Sequence, residues 1–497
     1  MKKWGIALAL VAICFFGGYI RNYNLLTWPR EGATFDEYAW PWIGMSLLDT
    51  GVPMSWSRHA PYKLQTNFVN AKGAQFVLST PYLEHPPVFG FVAGSFAKLM
   101  GAESFDTMTL AHVRPFALIL GVLSILMVYL LASSVFGPIV GLLSSLIYAI
   151  IPTVSVGSRI LENENFFIPL FLLLLWTTNR YMREVENAQE TGNMKQALVT
   201  GQITKSMGRH EEEGTARLLT PERSDGRQGN TKQISHLPVY QLLHTVYFVL
   251  ILLLSFVLPL AKIPWIAAPI ASIGVFLYAK RYREAISIFA ICFLSILSYI
   301  AWGYRWDWGV FTGLMKLQTA RYDMSFDGFL SLVTNPLVTD RIYTDGWILF
   351  GWIAMAIMLV KEKANRNVVT FGFLAYLGIY LFAIPNEAGH GWYRYPFYPF
   401  LAIASAWSLN EYFFSQPIFA FLFGTIVGLP MIQHLIVPKI GFSYPLYRGY
   451  LLLVASPLVT LITDKPWMKR FVMILSLVIF ALIVFLSYKA GLRYNEQ

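Results

Sequence analysis

Charge is scarce in this chain. Asp, Glu, Lys and Arg make up 13% of its 497 residues, against about a quarter in ordinary soluble domains. There are two cysteines, Cys14 and Cys292. Both fall in apolar runs, which argues against a disulfide framework and a thiolate metal site. The outer-loop histidines His59, His85, His112 and His390 show no H-x-x-x-H or H-x-H pairing, so a histidine metal centre is not expected. No internal repeat and no matching pair of Gly/Pro-broken spans is visible, and these are the usual marks of a transporter. No small-residue cleavage site follows the apolar run after Met1-Lys2-Lys3. The run ends G-G-Y-I-R and reads as a retained first span.

Apolar and aromatic residues are abundant. The chain is 56% hydrophobic with mean hydropathy +0.51, and long apolar runs recur along it. This predicts an all-α polytopic membrane protein. Thirteen spans are expected near 4–20, 109–133, 140–156, 166–178, 242–260, 265–278, 285–302, 347–359, 368–384, 399–414, 418–434, 450–462 and 471–488. The net charge of +10 gathers at span ends. It therefore fits anionic lipid and membrane orientation, not nucleic acid. Lys2-Lys3, Lys280-Arg281-Arg283, Lys361-Lys363-Arg366 and Lys465-Lys469-Arg470 share one side, expected to be cytoplasmic. The long loop 21–108 then faces outward, as do 303–346 and 385–395. Residues 1–179 form an N-terminal module and 237–497 a C-terminal one. Between them 180–236 is polar and nearly free of aromatics, the composition of a poorly packing cytoplasmic segment.

The stretch R-E-G-A-T-F-D-E-Y, Arg30–Tyr38, is the expected seat of the chemistry. Asp36 and Glu37 lie among Phe35, Tyr38, Trp40 and Trp42 at a membrane boundary. Burial there raises a carboxylate's proton affinity and makes it a usable base. The run Glu37–Leu48 reads as an interfacial helix with Trp40, Ile43, Leu47 and Leu48 on one face. Its dipole would favour the anion at Asp36, so the two effects oppose and composition does not decide the sign. Pro81–Val88, P-Y-L-E-H-P-P-V, holds Glu84 and His85 just before a proline-opened helix. Arg114, Arg159 and Arg394 stand at outer span ends. Each separately suits a snorkelling role; together with His85 they form a cationic set suited to a lipid phosphate. In 303–346, Asp307, Arg321 and Asp323 are candidates for supporting substrate contacts.

A carboxylate base beside cations suits sugar transfer from a lipid phosphate. The attacking hydroxyl must lose a proton. The leaving phosphate needs its charge stabilised more than it needs protonation. The D-E pair in a long first loop, P-Y-L-E-H-P-P-V, the R-P start of the second span, R-I-L-E-N-E after the third and the late Y-R-Y-P-F-Y-P-F occur in an order that resembles the C-type (GT-C) membrane glycosyltransferases. The likeness is closest to the branch of protein O-mannosyltransferases and bacterial lipid A aminoarabinose transferases.

The resemblance implies an integral-membrane enzyme of a bacterial or archaeal plasma membrane. Such an enzyme takes polyprenyl-phosphate sugars and inverts the anomeric centre on the extracytoplasmic side. It implies Asp36 as general base with Glu37 in support, His85, Arg114 and Arg394 near the donor phosphate, and Arg159 with Glu164 as an Arg–acid pair. No cofactor is required, with room for a divalent cation between Asp36 and the donor phosphate. The acceptor is a lipid, glycan or protein hydroxyl. The family's larger members carry a soluble C-terminal domain or an inserted lumenal domain, and neither is expected here. The competing expectations are a transporter or flippase of a lipid-linked sugar, and a scaffold with a decayed site.

Overall fold

The computed structural model describes residues 3–62, 67–186, 237–320, 325–327, 330, 345–361, 367–383, 391–413, 415–436, 443–462 and 465–493. Met1–Trp176 and Leu252–Gln497 form one compact unit, and Thr177–Ile251 a second. The side chains of the site discussed below belong to the first.

Within the described residues, each of the thirteen apolar runs falls on helix over most of its length. Among the described residues five helices are long and apolar enough to cross a membrane: Lys3–Asn22 (α1), Leu110–Phe136 (α4), Leu243–Ala261, Tyr282–Trp306 and Pro466–Leu492. Shorter apolar helices include Pro138–Ile150 (α5), Gly346–Val360 and Val368–Phe382. On α1, Trp4, Leu8, Val11, Phe15 and Tyr19 recur at helical spacing and are all more than half exposed. Such a stripe would be unfavourable in water and is at home against lipid. The protein is an integral membrane protein built from helices.

Two expected spans are modified. The run 140–156 is broken after α5, where Ile151-Pro152 starts the short helix Pro152–Gly157 (α6). Pro152 has no N–H, so the carbonyl of Tyr148 loses its helical donor. The N–H of Thr153 is turned to Asp345 Oδ2, 3.2 Å away, which releases the carbonyl of Ala149. Arg21, fully buried at the end of α1, takes both carbonyls, Nη1 donating to Ala149 O at 3.1 Å and Nη2 to Tyr148 O at 3.3 Å. The break is thus satisfied across the bundle. The run 418–434 carries a π turn at Gly424–Gly428.

The first loop is more structured than its composition suggests. Asp36–Thr50 (α2) packs against Val88–Leu99 (α3) with the two backbones touching. A Cβ on Gly44 would lie 2.2 Å from Gly90 O, and one on Gly94 would lie 2.4 Å from Pro41 O. Small residues spaced G-x-x-x-G allow this approach. As a result α2 is buried around much of its circumference, Glu37 to Ser46 almost without interruption. The expected one-sided interfacial helix is corrected to a packed one, with Leu48 left exposed. Beside it lies a small antiparallel sheet, Ser55–Trp56 (β1), Phe68–Ala71 (β2) and Ala74–Ser79 (β3), in the order β1-β3-β2. Lys72 and Gly73, both with positive φ, make the two-residue turn from β2 to β3.

Candidate active site

Asp36 opens α2, with Phe35 before it as N-cap residue. Its carboxyl is pushed up to about 6, chiefly by burial; Lys262 opposes the rise and Glu164 adds to it. Desolvation is the largest influence on this carboxyl, and the net shift is upward. Those two charges come from segments far apart in sequence. Glu164 lies in the first turn of the helix 163–186. Lys262 lies immediately after the helix Leu237–Ala261. Lys262 Nζ is 2.7 Å from Glu164 Oε1, and both side chains are buried. The same ammonium sits 4.4 Å from the ring centroid of Tyr393 and 5.4 Å from that of Trp265, where ring faces favour a cation. Burial lowers a lysine's proton affinity, yet Glu164, Tyr393 and Glu162 together more than offset it and Lys262 is held above the ordinary range.

Glu162 is the third carboxyl of the group. It is 2% exposed, and burial, then Asp36 and Glu164, push it well above the ordinary carboxylate range. Trp40 Nε1 donates to Glu162 Oε2 at 3.3 Å, and the Trp40 ring packs on His85 with centroids 4.9 Å apart. His85 is thereby joined to the group through one indole. Glu162 Oε1 and Glu164 Oε2 are buried without a hydrogen-bond partner among the described residues. Asn163 braces the segment between them: its Oδ1 accepts from Trp265 Nε1 at 2.6 Å and its Nδ2 donates to Ala261 O at 3.0 Å. That bond fixes Glu162-Asn163-Glu164 against the turn carrying Lys262.

The other expected residues are placed as follows. Glu37 is fully buried and held by Arg114, whose Nε and Nη2 donate to its two oxygens at 3.1 and 3.0 Å while Nη1 donates to Leu25 O at 2.8 Å. Adjacent helical residues point about 100° apart, and Asp36 does not share the Arg114 partner of Glu37. Arg159 Nη2 donates to Ile20 O at 2.9 Å and Gly491 O at 3.1 Å. The expected Arg159–Glu164 pair is not formed; Glu164 takes Lys262 instead.

Arg394 lies in the turn Gly391–Phe397, next to Tyr393, and is 9% exposed. Its Nε is buried with no partner among the described residues. Glu84 Oε2 stands 3.6 Å from His59 Nε2. Asp307 caps the helix Trp308–Ala320, its Oδ1 accepting from Val310 N at 2.9 Å. His112 serves the start of α4, its Nδ1 accepting from Thr109 N at 3.0 Å. Arg321, Asp323 and His390 lie outside the described residues. Among the described residues no three His, Cys, Asp or Glu side chains are grouped to hold a metal ion.

Lys262 and Glu162 were not singled out from sequence. The available signal was a lone lysine in L-P-L-A-K-I-P-W between two apolar runs, a costly place for a charge. For Glu162 it was the doublet spacing E-N-E.

Residues 84–191 match the family model described as dolichyl-phosphate-mannose-protein mannosyltransferase. That segment contains His85, Arg114, Glu162 and Glu164; Asp36, Lys262 and Arg394 lie outside it. No curated protein matches the sequence. Among solved structures, the chain is similar to ArnT from Cupriavidus metallidurans bound to undecaprenyl phosphate, at 14% identity and TM-score 0.54. It is also similar to the same protein in the apo state, at 13% identity and TM-score 0.52. Each comparison covers 99% of this chain and 77% of the other. The chain shares the helical fold of these ArnT structures.

Proposed function

We propose that the protein is a glycosyltransferase that moves a sugar from a polyprenyl-phosphate donor to an acceptor hydroxyl on the extracytoplasmic face of the membrane, with inversion. The observation that carries this reading is Asp36: a part-buried carboxyl with its proton affinity raised to about 6, beside the buried Lys262–Glu164 pair. A base poised near neutrality is what hydroxyl attack requires. The acceptor oxygen bonds to the anomeric carbon as the bond from that carbon to the phosphate oxygen breaks. Asp36 takes the acceptor's proton, and the electron pair of the broken bond leaves with the lipid phosphate. A single displacement inverts the centre.

The departing phosphate needs cations. The open Nε of Arg394 and the ring of His85, packed on Trp40, are the groups assigned to it. Arg114 is committed to Glu37 and acts by holding α2. The undecaprenyl phosphate of the ArnT structure and the mannosyltransferase family match support a donor of this class. Lys262 supplies positive charge among the carboxylates, and the reaction as proposed runs without a divalent cation. Asp36, Glu162–Glu164, Lys262 and Arg394 all fall in loops that the span count assigns to the outer side, which supports the assignment of the active face.

The test is sugar transfer by purified protein from a panel of polyprenyl-phosphate monosaccharides, with wild type beside Asp36→Asn. Transfer by wild type and a loss of roughly 10²–10⁴-fold in the variant is the expected outcome. Equal turnover by the variant removes Asp36 as the base. Donor moved across liposomes without transfer replaces the enzyme with a transporter.

A further inference from the structure

We propose that Tyr299 is a positioning residue for the donor site: together with Tyr62 it pins the backbone of Leu83, and so sets His85 where a lipid phosphate can meet it. The inference rests on the role assigned to His85 above and names the part of the molecule that fixes that residue.

The stretch Pro81–Pro87 cannot order itself. It contains neither helix nor strand, and Pro81, Pro86 and Pro87 have no N–H to give. Leu83 lies at its centre and is fully buried, so both of its backbone groups need partners from elsewhere. Each finds a tyrosine hydroxyl. Leu83 N donates to the Tyr62 hydroxyl at 2.9 Å, and the Tyr299 hydroxyl donates to Leu83 O at 2.8 Å. Neither tyrosine is more than 5% exposed. Tyr62 ends the turn Ala60–Tyr62 in the first loop, whereas Tyr299 lies in the last third of the helix Tyr282–Trp306. The neighbouring Tyr82 adds to the hold. Its N–H donates to Pro53 O at 2.8 Å, and its ring lies nearly parallel to that of Tyr62, at 12° with centroids 6.4 Å apart.

His85 follows two residues after Leu83, and Pro86-Pro87 stiffens the chain beyond it. Its ring packs on Trp40 and stands 6.4 Å from that of Tyr82. Pinned ahead and stiffened behind, His85 takes its position from the two phenols.

Tyr299 brings more than one hydrogen bond. Its ring meets Phe311 edge to face, with centroids 5.2 Å apart. Gly303, one turn further along, admits the Phe311 ring, which a Cβ there would approach to 2.2 Å. Phe311 belongs to the helix Trp308–Ala320. On the same helix Gly313 rests against Pro61, where a Cβ would lie 3.1 Å from Pro61 Cβ, beside Tyr62. The two helices that meet at Asp307 therefore hold both tyrosines. Asp307, expected among the substrate contacts, stands at the joint of this clamp. A displacement of a fraction of an ångström in the clamp would pass through Leu83 to His85, and binding geometry is sensitive on that scale.

The experiment uses the full chain in detergent with undecaprenyl phosphate as the probe, and it needs no turnover. Binding is titrated for wild type, Tyr299→Phe, His85→Ala and the double variant. Tyr299→Phe keeps the ring against Phe311 and removes only the hydroxyl. It should weaken binding roughly fivefold when His85 is present. With His85 already gone the same change should cost less than about twofold, because no ring is left to misplace. Hydrogen exchange over residues 82–85 is the second readout. It should quicken in Tyr299→Phe and in Tyr62→Phe, where the Leu83 amide loses its acceptor.

A Tyr299→Phe protein that binds like wild type overturns the proposal. So does an equal loss with and without His85, which is what a purely structural role would give, and so does unaltered exchange at Leu83 in both variants. Should Tyr299→Phe not fold, Tyr62→Phe goes through the same cycle and is judged by the same outcomes. If wild type binds no undecaprenyl phosphate, or His85→Ala binds it unchanged, the role assigned to His85 falls and this proposal with it. Wild-type binding that depends on His85 but not on Tyr299 rejects this proposal alone.

Discussion

Arg114 grips Glu37 through two hydrogen bonds of 3.1 and 3.0 Å, and neither side chain touches solvent. Two residues expected at the chemistry thus form a clasp between α2 and α4, one residue along from the proposed base. Breaking one partner leaves the other charge buried and alone. Glu37→Gln should cost roughly 3–5 kcal/mol of stability, read as earlier thermal unfolding in detergent. If Glu37→Gln melts with wild type yet loses turnover, Glu37 is part of the chemistry and the clasp is secondary.

Asp36 should impose opposite demands on activity and stability. As a base it must be ionised, so kcat/KM should fall tenfold per pH unit below about 6. The folded state holds this proton more tightly than the unfolded chain. Its contribution to stability is therefore full at pH values below the unfolded carboxyl's and is lost as pH rises through about 6. Asp36→Asn at pH 7.5 should accordingly be more stable than wild type, by at most about 3 kcal/mol, while inactive. A variant that melts lower at pH 7.5 and equally at pH 5 would show that burial is not what raises the proton affinity.

Arg394 carries a buried Nε with no protein partner among the described residues. If that donor meets the lipid phosphate, Arg394→Ala should weaken donor binding by about 1.5–3 kcal/mol, or roughly 10–100-fold in Kd. Arg394→Lys should restore little, because a point charge does not reproduce the guanidinium fork. Equal donor affinity in a binding titration would return Arg394 to a scaffold role.

The α2–α3 contact should tolerate no side chain. Gly94→Leu places atoms where Pro41 O and Met45 N already lie, at 2.4 and 2.5 Å from even a first carbon. The helices must part. A cost of roughly 1–3 kcal/mol or more is expected, together with reduced turnover, because Asp36 and Trp40 ride on α2. Wild-type activity in this variant would show that the two helices do not hold the base in position.

Much of the scaffold was legible because the bilayer makes the sequence signal coarse. An apolar run of this length is best satisfied as helix, since lipid offers its backbone no partner, and the expected runs are helical where they are described. Where the runs break was less legible. The interruption at Pro152 depends on Arg21 and Asp345 arriving from elsewhere, the first to supply hydrogen bonds and the second to accept them. Within the site, Asp36 was readable because an acidic pair among tryptophans stands out locally. Lys262 was not, since one lysine between two apolar runs gains meaning only when Glu164 is set against it. Arg114 was readable as a conspicuous charge, while its commitment to Glu37 is a matter of tertiary geometry. The sheet beside α2 was missed because its strands are short and one is only two residues long.

The joint at Pro152 has a further consequence. Arg21 hydrogen-bonds α1 to the end of α5 through carbonyl oxygens, and Arg159 fastens it to the last helix in the same manner. A peptide carbonyl has no proton to gain or lose in the range where Asp36 titrates. These two fasteners are blind to acidity. Acid that switches off the base would therefore leave these two joints standing, and what acid loosens should be sought at the Glu37–Arg114 clasp instead.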